Sequence, residues 1–460
     1  MRGGILIALL AALLALVITN PFVGVLLWNW ISFMNPHRLV WGPAAEVPWA
    51  AVVFIATVIG CAVMGQLRFP PFNSTTVLIF TLMLCFTTTS IVALGEPTAV
   101  WYKWEHVMKI LLGLLLTATL LTTRQRIHAL VWVMVISLGY YGVRGGLFAL
   151  ITGGNYRVWG PPDTIISDNN HLAAAMLVSL PLMNWLRMHS AHRIIRIGLS
   201  VAMGLTLLAT IASYSRGALL GLIVVVAVQW WHSRRKIVTA GVLAACLAAA
   251  ISFMPGSWTE RMESIGTYQA DGSASERLVL WGISWKLAVD RPLVGSGFSG
   301  PYTRDVVDRV APDGPARAVH SIWFELLGEH GFPTFFAWLG LTLAGIWHGY
   351  RVTRLTRGRP DLAWAHDLGR MGQVSIMAYL VSGTFLSLSY WDYYWTLLVT
   401  LSATYVIVLQ AVYASRTVPQ AAGTTLPDAV AAAQAGRRVA TAGGWRARAQ
   451  PARLARSADA

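Results

Sequence analysis

The sequence predicts an all-α, polytopic membrane protein, and three observations support this: high apolar content, scarce charge and apolar runs of spanning length. Of the 460 residues, 56% are hydrophobic and only 12% are charged. Soluble domains carry about 25% charged residues, so this chain has too little charge to cover a surface that faces water. Runs of about 20 apolar residues cross a bilayer, where the backbone must satisfy its own hydrogen bonds by forming helices.

Apolar blocks recur along most of the chain and predict about 12 or 13 transmembrane helices. The blocks fall near residues 4–19, 21–34, 48–65, 73–93, 107–121, 128–151, 170–187, 196–213, 217–231, 237–254, 333–350, 371–388 and 393–413. The first two are short and meet at Pro21, so they form either a tight hairpin or one broken span. We interpret residues 1–19 as a retained membrane segment, because no small-residue cleavage site follows them.

Positive charge is unevenly distributed, and this predicts the orientation of the chain. The net charge is +15, and the basic residues cluster near Arg124, Arg193, Arg235 and Arg354 and in the C-terminal tail. Connections rich in Lys and Arg remain in the cytoplasm, so these connections and the tail are predicted to be cytoplasmic. The distribution argues for a lipid bilayer as the partner and against nucleic acid.

The pattern divides the chain into four regions. Residues 1–254 form an N-terminal transmembrane bundle, 255–332 a large loop outside the cytoplasm, 333–413 the C-terminal transmembrane helices, and 414–460 a basic cytoplasmic tail. The loop holds ten of the twenty acidic residues against seven Lys plus Arg. A connection of this length is usually functional.

Within the loop, residues 276–289 are predicted to form an amphipathic helix, because apolar side chains recur at spacings of three and four. Pro292 and the glycines after it end that helix. The tail is rich in Ala, Gly and Arg and lacks an apolar period, which predicts a disordered segment that contacts anionic headgroups.

The familiar motifs of several enzyme classes are absent from the sequence. There is no Walker motif, dinucleotide fingerprint, zinc spacing or Gly-x-Ser-x-Gly elbow. The three cysteines, Cys61, Cys85 and Cys246, lie in apolar blocks without a metal-like spacing. We therefore expect no metal site, no disulfide and no cofactor.

Two arginines at the predicted outer face are candidates for binding phosphate. Arg216 lies between two apolar blocks with almost no loop, where a cation is costly unless it is paired or near water. It either extends to the headgroups or clamps an anion, for which the guanidinium fork is well suited. Arg277 opens the amphipathic helix and is either a solvated surface residue or a second phosphate contact.

Histidine is the candidate proton acceptor. His320 lies where the loop becomes apolar again, and an imidazole titrates near neutrality, so it could take a proton from a hydroxyl. A lone histidine is more often structural. His330 is the rival, but its neighbours Glu329 and Gly331 indicate a turn at a helix end.

Two further sites carry polar side chains next to apolar blocks. Arg144 lies inside a block, and a charge within a membrane segment is a functional hypothesis by default. Asp168 and Asn169 begin the next block. Asp168 either caps that helix or positions a substrate.

Together these motifs resemble the O-glycosylation ligases associated with exosortase A systems, within the broader superfamily of O-antigen ligases and O-antigen polymerases. The resemblance covers residues 20 to about 410 and excludes the tail. The runs that carry it are Asn35-Pro36-His37-Arg38, Arg144-Gly145-Gly146, Gly153-Gly154-Asn155-Tyr156-Arg157-Val158-Trp159-Gly160-Pro161-Pro162, Asp168-Asn169-Asn170, Ser213-Tyr214-Ser215-Arg216-Gly217-Ala218, Arg291-Pro292-Leu293-Val294-Gly295, His320-Ser321 and Leu327-Gly328-Glu329-His330-Gly331. His171 departs from the pattern, which expects a small residue there.

The resemblance implies a membrane-embedded glycosyltransferase fold of the GT-C-like type, in the bacterial inner membrane. Such proteins move a glycan from an undecaprenyl-diphosphate carrier to a hydroxyl acceptor at the periplasmic face, without a nucleotide sugar or a metal. Two arginines and one histidine are held essential, and the matching positions are Arg216, Arg277 and His320. We expect substrate-binding side chains at the following positions: Arg144, Asp168, Asn169, Tyr214, Arg157 and His330.

Three other functions stay open at this point. A polymerase would use another carrier-linked glycan as acceptor, a transporter would place polar residues deep inside several spans, and a structural partner of a sorting machine would tolerate substitution at all three essential positions. The acceptor of a ligase is also open, among protein hydroxyls, a lipid A core sugar and another glycan.

Overall fold

The computed structural model describes residues 2–232, 235–263 and 272–417, and the described residues contain α-helices and short 3-10 helices but no strand. The all-α prediction is therefore confirmed. Residues 1–409 form one compact unit. The predicted tail beyond residue 417 and the side chain of Cys246 lie outside the described part.

Seventeen α-helices are described. They are α1 (Arg2–Thr19), α2 (Pro21–Met34), α3 (Pro43–Glu46), α4 (Trp49–Val63), α5 (Ser74–Ile91), α6 (Pro97–Leu120), α7 (Arg124–Thr152), α8 (Asn169–His189), α9 (Arg193–Ile211), α10 (Arg216–His232), α11 (Lys236–Ser252), α12 (Gly256–Glu263), α13 (Gly272–Asp290), α14 (Arg304–Val307), α15 (Ile322–Leu355), α16 (Ala363–Gly383) and α17 (Asp392–Thr417). Three 3-10 turns cover Pro36–Leu39, Gly300–Tyr302 and Pro360–Leu362.

Several helices have the length and composition of membrane spans. By these criteria α5, α7, α9 and residues 392–415 of α17 are long and apolar enough to cross a membrane. Shorter apolar helices are α1, α2, α4 and residues 216–228 of α10. The chain is thus a polytopic membrane protein in architecture, as its composition predicts.

The first two helices form a hairpin. A Cβ atom at Gly3, near the start of α1, would lie 3.1 Å from the carbonyl oxygen of Trp41, which follows the end of α2. The two helices therefore run antiparallel and turn at Asn20, with Pro21 in the first turn of α2, where its missing N–H is no loss.

Six connections of the described chain meet on one side of the bundle, which we call the loop face. They are residues 35–48, 92–96, 153–168, 212–215, the described parts 253–263 and 272–321 of the large connection, and 384–391. Hydrogen bonds join them: Leu94 N–H donates to the carbonyl of Ser296, and Val158 N–H donates to that of Ala212. The candidate site residues of the sequence lie on or just beneath this face.

The large connection is mostly helical. A helix over residues 276–289 is present as the C-terminal part of α13, where Leu280, Ile283 and Leu287 are buried. The helix that follows the loop begins at Ile322, earlier than the predicted boundary at residue 333, and is broken at Gly331, where φ is 71°. A Cβ atom at Gly331 would lie 2.6 Å from the carbonyl oxygen of Pro292, so only glycine fits this approach. Glycine and proline are typical of loops. Gly331 and Pro333 therefore led the sequence analysis to assign the first turns of α15 to the loop.

Helices α7 and α9 approach so closely that we expect Gly146→Ala to destabilise the protein. A Cβ atom at Gly146 would lie 2.3 Å from the carbonyl oxygen of Leu205, which is closer than the two atoms can approach. Because the neighbour is a backbone atom, the helix itself would have to shift. Overpacking of this kind costs about 1–3 kcal/mol, which should lower the midpoint of thermal unfolding of the protein in detergent. Gly204→Ala on α9 is the control, because nothing lies within 4 Å of its Cβ position. Equal midpoints for both variants would contradict the close approach.

Candidate functional site

His320 lies in a constrained turn on the loop face, directly before α15. Its φ is 52°, a left-handed conformation that costs a non-glycine residue about 1–3 kcal/mol and persists only where the surroundings hold it. Its backbone N–H donates to the Oγ of Ser387 at 3.0 Å, in the connection between α16 and α17. The side chain is half-buried, so the imidazole is accessible from the loop face.

Burial, together with the charge of Arg277, favours the neutral form of His320. Burial lowers the pKa of its imidazole below the ordinary 6.5, and the positive charge of Arg277 and the ring of His171 lower it further. The carboxylates of Asp168 and Glu325 act in the opposite direction. A neutral imidazole has a free lone pair and is ready to accept a proton.

Helix α13 brings Arg277 toward His320. One turn further along, the ring of Trp281 stacks on that of Phe324 at 5.3 Å with an interplanar angle of 14°. The indole N–H of Trp281 donates to the carbonyl of Val319, the residue before His320, at 3.2 Å. Residues four apart share one face of a helix, so this anchor places half-buried Arg277 on the side of α13 that faces His320.

Arg216 is the first residue of α10 and follows a tight turn. Tyr214 in that turn has φ of 61°, and the Oγ of Ser215 accepts from the N–H of Ala218 at 3.2 Å. A Cβ atom at Gly217 would lie 3.6 Å from Phe385. The Arg216 turn and the His320 turn therefore pack against the same connection, residues 384–391.

Asn169 and Asp168 support this arrangement from the start of α8. The side-chain amide of Asn169 donates to the carbonyl of Ser213 at 2.6 Å and so fixes the turn before Arg216. Asp168 is the N-cap of α8 and accepts from the N–H of Asn170 at 2.7 Å. Burial would raise the pKa of Asp168, but hydrogen bonds from His171 and Asn170 outweigh burial and hold it well below its usual range. Asp168 is thus both a helix cap and a fixed negative charge near His320.

Arg144 and Arg157 lie near Tyr214, which belongs to the turn before Arg216. Arg144 and Arg157 line a separate cavity of about 730 Å³. The guanidinium of Arg157 lies 5.8 Å from the ring centroid of Tyr214, and the hydroxyl of Tyr214 donates to the carbonyl of Gly154 at 2.9 Å. Arg157, which lines this cavity, therefore contacts the turn that precedes Arg216.

His330 does not fit the expected substrate contact. The residue is completely buried, and its ring packs against Phe86 and Phe298 with centroids 4.7 and 4.3 Å away. Its Nδ1 lies 2.7 Å from the Oγ of Thr89, on α5. We assign His330 to packing of the bundle at the break in α15.

A buried ion network beneath His320 was not predicted from the sequence. The ammonium of Lys103 on α6 lies 2.8 Å from a carboxylate oxygen of Glu329 and 3.6 Å from one of Glu325, both on the first turns of α15. Both carboxylates are buried. An unpaired charge at such a position is very costly, so the two glutamates require this lysine.

Hydroxyl groups and a backbone amide complete the network. Glu329 accepts from the hydroxyl of Tyr390 at 2.6 Å and from the N–H of Ser299 at 3.0 Å. Glu325 accepts from the Oγ of Ser389 at 2.6 Å. The network thus joins α6, α15, the large connection and the connection after α16. The sequence offered only a weak signal for it: Lys103 and Glu329 each lie near a predicted apolar block, and no local pattern pairs them.

The fold and the site together define a class: a membrane protein, helical in the residues that the structure describes, whose loop face holds a half-buried histidine within electrostatic reach of Arg277. Comparison with known families agrees with this class. Residues 201–339 match a family described as O-Antigen ligase (Wzy_C), and residues 1–191 match one described only as a family of unknown function (DUF5935). The first match supports a place in the O-antigen ligase/Wzy-like superfamily. No curated protein matches the chain.

We expect Lys103→Met to destabilise the protein strongly. Removing one partner of a buried ion pair costs about 3–5 kcal/mol, because Glu325 and Glu329 would remain buried without their cation. The expected result is a lower midpoint of thermal unfolding in detergent, partly restored in the double variant Lys103→Met with Glu329→Gln.

Lys109→Met, on the same helix, is the control. Lys109 pairs with Glu105 in an exposed pair four residues apart, which contributes little to stability. If the midpoints of the two lysine variants fall equally, the network does not carry the stability that we assign to it.

Proposed function

We propose that this protein is a membrane glycosyltransferase that transfers a glycan from an undecaprenyl-diphosphate carrier to a hydroxyl acceptor. The observation that carries the proposal is the half-buried His320 with its lowered pKa, held within electrostatic reach of Arg277. It lies in the segment that matches the O-antigen ligase family. The reaction uses no metal and no cofactor, and it takes place on the loop face, which is periplasmic in a bacterial inner membrane, with the C-terminal tail in the cytoplasm.

His320 is the general base in this proposal. Its neutral imidazole takes the proton from the acceptor hydroxyl as the acceptor oxygen forms a bond to the anomeric carbon. The bond between that carbon and the carrier diphosphate breaks, and its electron pair leaves with the diphosphate. Attack opposite the leaving group inverts the configuration of the anomeric carbon.

Arg216 and Arg277 bind the diphosphate. A diphosphate carries more negative charge than one guanidinium neutralises, and its charge grows as the glycan leaves. Fixed cations aimed at the leaving group stabilise the transition state more than the ground state, which is the condition for catalysis. Arg144, Arg157, Asp168, Asn169 and Tyr214 then surround the substrate on the loop face, with Asn169 and Asp168 acting through the turns that they fix.

The acceptor distinguishes a ligase from its nearest alternative. The resemblance to exosortase-associated ligases favours a hydroxyl of an exported protein, while lipid A core sugar and a second glycan are the other acceptors of this chemistry. A polymerase would transfer to another carrier-linked glycan and produce a ladder of repeat units. A ligase produces a single transfer for each donor glycan, so the length of the product separates the two.

We expect His320→Ala to lose glycan transfer. Loss of a general base lowers the rate about 100-fold or more, and Arg216→Gln or Arg277→Gln should lower it to a similar extent by weakening stabilisation of the leaving group. The measurement is carrier release and glycan attachment by purified protein with an undecaprenyl-diphosphate-linked glycan and candidate acceptors.

His192→Ala is the matched control, because His192 is an exposed histidine in the connection before α9. Carrier binding should persist in His320→Ala. Transfer at the wild-type rate by a variant with all three residues replaced would refute the mechanism.

The pH dependence of transfer tests the same histidine. Because the pKa of His320 lies below 6.5, transfer should persist through neutrality and fall only at acidic pH, where the imidazole becomes protonated. Asp168→Asn removes a carboxylate that raises this pKa, so the acidic limb should move to lower pH. His171→Gln removes a ring that lowers it, so the limb should move to higher pH. Shifts with the reverse signs, or none, would argue that another group accepts the proton.

A further inference from the structure

We propose that the cavity lined by Arg38, Arg144 and Arg157 is a binding site for an acidic segment of the transferred glycan. The inference rests on the proposed function, since it names the kind of glycan that the site on the loop face receives. The cavity holds about 730 Å³, within the range of small-molecule and oligosaccharide sites. Its walls come from the connections 35–48 and 153–168 and from the end of α7.

The charge of the cavity favours an anion. Among the described residues that line it, three are arginines and none is acidic. The nearest carboxylate to Arg38 is that of Asp163 at 3.9 Å, an exposed side chain in a long and solvated ion pair. Such a pair contributes little, so an incoming carboxylate can displace it at low cost. Arginine binds carboxylates with two parallel hydrogen bonds, which fixes their orientation as well.

The apolar part of the cavity favours a sugar over a simple ion. Trp41, Tyr140, Phe148 and Trp159 line it, and each exposes at least 40% of its surface. Exposed aromatic rings offer flat apolar surface, which suits the C–H faces of sugar rings, while arginines suit their acidic groups. A site for inorganic phosphate alone would not need this surface.

Two glycines pack the loop that carries Arg157 and Trp159 closely. A Cβ atom at Gly145 would lie 2.7 Å from a methyl of Val158, and one at Gly160 would lie 1.8 Å from the carbonyl oxygen of Ile166. Gly145 allows the 153–168 connection to pack against α7. Gly160 allows two parts of that connection to pack against each other. The N–H of Gly160 donates to the carbonyl of Ser167 at 3.0 Å, so the loop that carries Arg157 and Trp159 is folded rather than loose.

The cavity adjoins the proposed reaction site. Arg157 lies over the ring of Tyr214, two residues before Arg216 in the same turn. A glycan bound between the arginines of the cavity would therefore extend toward the diphosphate that we assign to Arg216 and Arg277. Its three arginines fall in residues 1–191, the segment that matches a family of unknown function. Recognition of the glycan is the role that we infer for that segment.

Direct binding to the intact protein tests this inference. The probes are a trisaccharide of galacturonic acid and its methyl ester, which keeps the rings but removes the charge, measured by isothermal titration calorimetry in nanodiscs of phosphatidylcholine. The acidic trisaccharide should bind at least tenfold more tightly than the ester. Arg144→Gln and Arg157→Gln should each weaken its binding about tenfold, as expected for loss of a charge-assisted contact.

Two further variants complete the design. Arg193→Gln removes an exposed arginine at the start of α9, away from the cavity, and should bind both probes as wild type does. Trp159→Ala should weaken the acid and the ester alike, because it removes aromatic surface and no charge. The melting temperature of each variant, measured beside binding, shows that the fold is retained.

Other occupants of the cavity give different results. Equal affinity for acid and ester, or no binding of either, would overturn the proposal. Binding of inorganic pyrophosphate that is lost in Arg144→Gln, without binding of the acidic trisaccharide, would make the cavity a diphosphate site. Loss of trisaccharide binding in nanodiscs of phosphatidylglycerol would make it a lipid headgroup site.

The test separates this inference from the proposed function. His320→Ala should bind the acidic trisaccharide as tightly as wild type, because His320 lies outside the cavity. If the trisaccharide binds as expected but no glycan transfer is found in any assay, the proposed function fails and the binding site stands. If transfer depends on His320 but charge does not affect trisaccharide binding, only the inference about the cavity fails.

Discussion

The ion network of Lys103, Glu325 and Glu329 is the interaction on which the loop face depends. Two buried carboxylates in one helix would repel each other and lose their hydration, so they are stable only with a cation and with hydrogen-bond donors around them. Those partners come from α6, from the large connection and from the connection after α16. Satisfying the two charges therefore draws separate parts of the chain to one place.

The position of His320 follows from the same constraint. The connection that contains Ser389 and Tyr390 is held by the two glutamates, and it also contains Ser387, which accepts from the backbone of His320. The left-handed turn at His320 is thus supported by the buried network, through the hydrogen bond that joins its backbone to Ser387. Glu325 acts twice, because its charge also opposes the effect of Arg277 on the pKa of His320.

The two family matches meet on the loop face. The segment that matches the O-antigen ligase family contributes His320, Arg216 and Arg277, whereas the N-terminal segment contributes Asp168, Lys103 and the arginine-lined cavity. Neither segment contains the whole arrangement. Direct links between them include the hydrogen bond from Asn169 to Ser213, the contact of Arg157 with Tyr214 and the ion pair of Lys103 with Glu329.

The sequence by itself determined the helical membrane architecture, and it predicted a helix in the large connection and named Arg216, Arg277 and His320 as candidates. These follow from local properties: apolar runs of spanning length, a helical period, and polar residues at the ends of apolar blocks. It left open whether residues 4–34 form a hairpin, and it placed the start of α15 too late, because Gly331 and Pro333 resemble a loop.

Only the tertiary structure decided which polar residues share a site. Lys103 and Glu329 are 226 positions apart, and no local pattern indicates that they pair. His330 looked like a rival of His320 and is instead buried between aromatic rings, while Arg38 joined Arg144 and Arg157 around one cavity. The physical reason is that charge pairing and burial depend on distances in space, which are set by the packing of helices far apart in the chain.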